Sequence, residues 1–91
     1  MDIKPLNPGI PFRGGMLSVQ ASEFHYCAPK HNQGPYFNYE VAFMNEKDEF
    51  VRIDELGPLY DQVYGNVPLT EVYQLLESEG YTPSQIKKLI P

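Results

Sequence analysis

FHYCAPKHNQGPYFNYEVAF, residues 24–43, decides how the rest of the chain is read. It holds three of the five Phe, three of the seven Tyr, the only Cys and both His. Its second half alternates. Phe37, Tyr39, Val41 and Phe43 fall on one side of an extended chain, and Tyr36, Asn38, Glu40, Ala42 and Met44 on the other. That period of two predicts a strand over 36–44 with the first set facing a core. Upstream, Leu17, Val19 and Ala21 alternate with Ser18, Gln20 and Ser22, which predicts a partner strand over 16–27. The phase then changes, and Phe24 and Tyr26 become the apolar residues. A strand that swaps faces needs a bulge or twist near Ser22–Glu23. Residues 28–35, with Asn32, Gly34 and Pro35, read as a loop longer than a tight hairpin turn.

Working outward, residues 1–15 carry Pro5, Pro8 and Pro11 at every third position, with Gly9, Gly14 and Gly15. This spacing predicts an extended, loosely packed arm ahead of a single domain over 16–91. Asn45 to Glu49 reads as a charged turn, and 50–53 as a short strand. Residues 54–62 suggest a helical turn broken by Gly57-Pro58, and 62–67 a last strand. Leu69, Val72, Tyr73 and Leu76 then fall at the spacing of an amphipathic helix, opened by Pro68 and closed by Gly80. Thr82-Pro83-Ser84-Gln85 matches a capping box ahead of Ile86, Leu89 and Ile90. The expected class is α+β: a small antiparallel sheet of three or four strands with C-terminal helices on one face.

Composition narrows function. A 42% hydrophobic, 13% aromatic chain is globular in kind, and 91 residues leave room for one core. Twelve acids against seven bases, net −5, argue against a phosphate-binding surface and suit a basic protein partner. The two final helices could mimic a helix-turn-helix, but Glu71, Glu77 and Glu79 would repel phosphates. One cysteine forms no internal disulfide, and no apolar run approaches the roughly 20 residues of a membrane span, so a cytoplasmic protein is expected.

The residues offer one chemical constellation. His25, Cys27 and His31 form H-x-C-x3-H, half of a zinc knuckle, with Glu23 or Glu40 as a fourth donor. The same residues could form a thiol–imidazole pair, although no oxyanion-hole glycine motif accompanies them. Neither a P-loop nor a dinucleotide fingerprint occurs. The expectation is therefore a non-enzymatic binding module without a cofactor. Its contact residues would be Glu23, His25, Tyr36, Asn38 and Glu40 on the polar sheet face, and Glu46, Asp48 and Glu49 in the charged turn. A metal- or thiol-dependent activity at His25/Cys27/His31 is the rival, and a homodimer pairing exposed strand edges is a third reading. Among the tyrosines, Tyr39 and Tyr73 are expected in the core, with Tyr36 and Tyr64 exposed.

Two segments, SEFHYCAPKHNQGPYFNYEVAF (22–43) and VYGNVPLTEVYQLLESEG (63–80), resemble small accessory proteins carried by phages and mobile elements of bacteria. His25, Tyr26, Pro29, Gly34, Pro35, Tyr36, Glu40, Val41, Tyr64, Gly65, Val67 and Pro68 carry the resemblance. It implies an accessory protein acting on a host system, such as an anti-CRISPR-like inhibitor of a defence complex. It carries over no catalytic residue.

Overall fold

The computed structural model describes residues 6–91. Four strands run in consecutive order: β1 (Ile10–Phe12), β2 (Gly15–Gln20), β3 (Asn38–Met44) and β4 (Tyr64–Pro68). All neighbours are antiparallel. A 3₁₀ turn (Asp54–Leu56) lies between β3 and β4, and α1 (Leu69–Glu77) and α2 (Pro83–Leu89) follow. The expected α+β arrangement is what the structure has.

The expected loose arm is corrected from residue 10 onward, and its residues 1–5 lie outside the described residues. Ile10–Phe12 is an edge strand closed onto β2 by the two-residue turn Arg13-Gly14. Both turn residues have positive φ, +47° and +77°, as a type I′ hairpin requires. Ile10 and Phe12 are fully buried, and the Phe12 ring meets Phe43 edge-on at 5.3 Å. The residues flanking a two-residue turn form a hydrogen-bonded pair, here Phe12 and Gly15. Of the three β1 residues, Pro11 is then the one whose polar groups turn outward. Proline has no N–H, and its carbonyl accepts the Tyr81 hydroxyl at 2.6 Å. A proline on this edge therefore costs the ladder nothing.

The expected first strand over 16–27 is also corrected. It ends at Gln20, and the phase change at Ser22 marks the place. Continuing the β2–β3 register would set Ser22 opposite Asn38, but Ala28 occupies that position. Relative to that register the chain carries six extra residues before Ala28 rejoins the ladder, and 22–27 form an excursion. On β3, Tyr39, Val41 and Phe43 are buried as expected, while Phe37 lies outside the strand and is exposed. Residues 50–53 make a single bridge, Met44 to Phe50, where a short strand was expected. In β4, Gly65 and Asn66 form a bulge between the Tyr39/Val67 and Val41/Tyr64 pairs, with Asn66 at φ +52°.

One face of the sheet carries the core. Leu17, Val19, Val41 and Val67 meet Val72, Leu75 and Leu76 of α1 and Ile86 of α2 in a single buried cluster. Both helices are amphipathic, so this face is where their apolar stripes go out of water. The Thr82 capping box is present in full, with the Thr82 hydroxyl accepting from the Gln85 N–H and the Gln85 side chain accepting from the Thr82 N–H. Tyr64 is buried, contrary to expectation. Its hydroxyl takes the Ile53 N–H at 2.9 Å and donates to the Gly57 carbonyl at 2.9 Å, pinning the long β3–β4 connection. Among the described residues no helix is long and apolar enough to cross a membrane.

Candidate functional site

The excursion 22–27 folds back over the polar face of the sheet. Glu40 projects to that face from β3, and its Oε2 accepts the Tyr26 N–H at 2.9 Å. The Tyr26 carbonyl accepts the Asn66 N–H of the β4 bulge at 2.8 Å. Gly65 leaves the space beneath: a Cβ there would stand 3.0 Å from Tyr26 Cβ. Both ends of the excursion are buried, at Ser22 and Cys27. The Ser22 hydroxyl lies 2.6 Å from His25 Nδ1 and accepts the Phe24 N–H at 3.1 Å. Glu23 is exposed, and its N–H donates to Asn32 Oδ1 at 3.1 Å.

This geometry divides the eight contact residues expected from the sequence. Glu23, His25, Asn38 and Glu40 gather around the excursion at the start of β3. Glu46, Asp48 and Glu49 stand exposed at the far end of the same strand, about 17 Å from Glu40 at the strand rise. Their turn is shaped by Asn45, whose Oδ1 accepts the Lys47 and Glu49 N–H groups. Tyr36 is a correction: it is 3% exposed rather than a surface contact. Its hydroxyl donates to the His31 carbonyl at 2.7 Å, and its ring packs edge-on against Tyr39. Tyr36 therefore anchors the 29–35 loop to the core.

The histidine–cysteine constellation does not converge. The Cys27 thiol is buried and donates to the Ser22 carbonyl at 3.2 Å. His25 is engaged by Ser22, and His31 is exposed in the loop. Among the described residues, no group of three or more His, Cys, Asp or Glu is placed to hold a metal ion.

Three exposed aromatics belong to this region, and sequence reasoning placed them on an apolar face. Phe24, Tyr26 and Phe37 are 66%, 61% and 69% exposed. The backbone beneath two of them is hydrogen-bonded. Tyr26 is tied through both its N–H and its carbonyl. The Phe37 N–H donates to Ala28 at 2.7 Å, and its carbonyl accepts from Leu69 at 2.9 Å. Lys30 Nζ stands 5.6 Å from the Tyr26 ring centre, within cation–π range. The phase change after Ser22 was the signal that could have revealed this. Phe24 and Tyr26 leave the strand at that break, and Phe37 precedes the first residue of β3, so alternation no longer sets their faces.

Compared with models of known protein families, with curated proteins and with solved structures, the chain matches none.

Proposed function

We propose that this chain is a non-enzymatic protein-binding module whose contact surface is built on the excursion 22–27 and its neighbour Phe37. The observation that carries this reading is the display of Phe24, Tyr26 and Phe37, each about two-thirds exposed, the backbone of Tyr26 and Phe37 being hydrogen-bonded to the sheet and its neighbours. Aromatic side chains have few rotamers to lose on binding, and aromatics are enriched among the residues that dominate interface energy. Glu23 lies beside them, and a net charge of −5 favours encounter with a basic partner. Occlusion of a basic surface on a larger host complex, in the manner of a phage-type inhibitor, is the form of this function that the acid excess and the two-segment resemblance favour.

The test is capture of a partner from lysate of the source cell, identification by mass spectrometry, and titration calorimetry with the purified pair. A stoichiometric complex weakened at least tenfold by Phe24→Ala with Phe37→Ala supports the reading, at the scale expected of central aromatic contacts. Reversing Glu46, Asp48 and Glu49 to Lys together should slow association more than it speeds dissociation. Loss of the complex on Cys27→Ala, with the aromatic variant still binding, would transfer the site to the histidine–cysteine region.

A further inference from the structure

We infer that residues 23–26 form a strap that docks on and releases from the sheet independently of global unfolding. The strap's two ends are fixed: Ser22 and Cys27 are buried, and Ala28 sits in the ladder. Between them, among the described residues, two hydrogen bonds join it to the sheet, Tyr26 N–H to Glu40 and Asn66 N–H to the Tyr26 carbonyl, while the Phe24 and His25 N–H groups bond back to Ser22 within the excursion itself. Its two large apolar side chains, Phe24 and Tyr26, are mostly in water, so docking buries little apolar area. Sideways it is held to the neighbouring loop by Glu23 N–H to Asn32 and by Lys30 over the Tyr26 ring. Segments with few apolar contacts and few bonds open at a fraction of the global free energy.

The seat beneath the strap is specific all the same. Gly65 has no side chain where Tyr26 Cβ lies close, and Asn66 adopts positive φ in the bulge that points its N–H at the strap. This pairing of a shaped seat with a thin attachment gives two discrete arrangements. Docked, the strap occupies the Glu40 carboxylate and the Asn66 amide. Released, it uncovers both and frees Phe24 and Tyr26 to reorient. The polar face then changes from a capped surface to one with an open carboxylate and an open backbone donor. This inference concerns the free chain and stands whether or not the binding function is correct.

Native-state hydrogen exchange on the free protein, read residue by residue, tests it. The Tyr26 and Asn66 amides should exchange together, at a common opening rate at least tenfold faster than Val19 and Val41 in the core. Glu40→Ala removes a charge-assisted acceptor and should raise exchange at both amides by about tenfold or more while leaving Val19 and Val41 unchanged. Glu40→Gln keeps an acceptor oxygen and should move them much less, which separates the bond from a general loss of structure. Exchange of Tyr26 and Asn66 only at the core's rate would overturn the strap. So would a Glu40→Ala variant that accelerates the core amides equally, because the excursion would then be part of the global fold.

Discussion

Arg13 does more than turn a hairpin. Its N–H donates to Glu79 Oε1 at 3.1 Å, and its guanidinium forms a two-bond pair with Glu55 and reaches Glu79 again. The same group lies 4.6 Å from the Phe12 ring centre. One side chain thus ties the β1–β2 turn to the 3₁₀ turn and to the end of α1. The Arg13 hydrogen bond holds the Glu55 carboxyl down at about 2, from an ordinary value of 4.5. A depressed carboxyl stabilises the fold above its unfolded value, and that contribution is lost as pH falls from about 4.5 toward 2. Both side chains are partly in water, so screening limits the pair to about 1 kcal/mol at most. Arg13→Ala should lower the urea midpoint at pH 7 and flatten its decline in that acid window. An unchanged acid slope would remove Glu55 from the account. At the other end of the scale, burial, with Tyr73 and Tyr36 nearby, pushes the Tyr39 phenol up to about 12. Its contribution is intact below pH 10 and fades as pH rises toward 12, because the unfolded phenol ionises first. Circular dichroism of Tyr39→Phe over that range should show a shallower alkaline loss than the parent.

The elements differ in what they tolerate. A Cβ on Gly15 would run into the Met44 carbonyl and the Asn45 Cα, both backbone, where β2 meets β3. Gly14 has open space around it and only its φ of +77° against a side chain. Gly14→Ala should therefore cost about 1 kcal/mol of backbone strain, and Gly15→Ala several times that loss, read as melting temperature. Thr82→Ala should cost about 1 kcal/mol through the lost cap, and Leu76→Ala about 2–5 kcal/mol through a cavity in the core. These elements also show what could be read in advance. The helices were legible because Pro68, the Leu69–Leu76 stripe, Gly80 and the Thr82 box are local signals that tertiary packing did not override. β3 was legible from Tyr39, Val41 and Phe43. β1 was not, because Pro11 reads as a strand breaker until an edge position makes its missing N–H harmless. The excursion was half legible: Ser22 marked the break, but no local property of residues 22–27 says that Ala28 returns to the ladder. Around the candidate site, Phe24 and Tyr26 read as the apolar residues of a strand that changes phase, and Phe37 as the first inward residue of β3; the chain has left the ladder at the first two, and β3 starts one residue after the third.

For the whole molecule, the long β3–β4 connection offers the most accessible aromatic side chain among the described residues. Residues 57–63 belong to no strand or helix, and Tyr60 within them is 94% exposed. Chymotrypsin at low ratio should cut first after Tyr60, ahead of Phe24 and Phe37, whose surrounding backbone is hydrogen-bonded. A first cut within 22–37, mapped by mass spectrometry, would make the excursion the more open segment. The margins of the sheet have a separate consequence. On β1, Pro11 lacks an N–H and its carbonyl is taken by Tyr81; on β4, Pro68 lacks an N–H and the Asn66 amide is taken by Tyr26. A template for fibre growth needs a row of open donors and acceptors along one strand. Here a hydroxyl from a helix turn and a carbonyl from the excursion interrupt both rows. The native molecule should stay free of thioflavin-positive fibres at millimolar concentration, and Tyr81→Phe should be the single change that begins to reopen the β1 side.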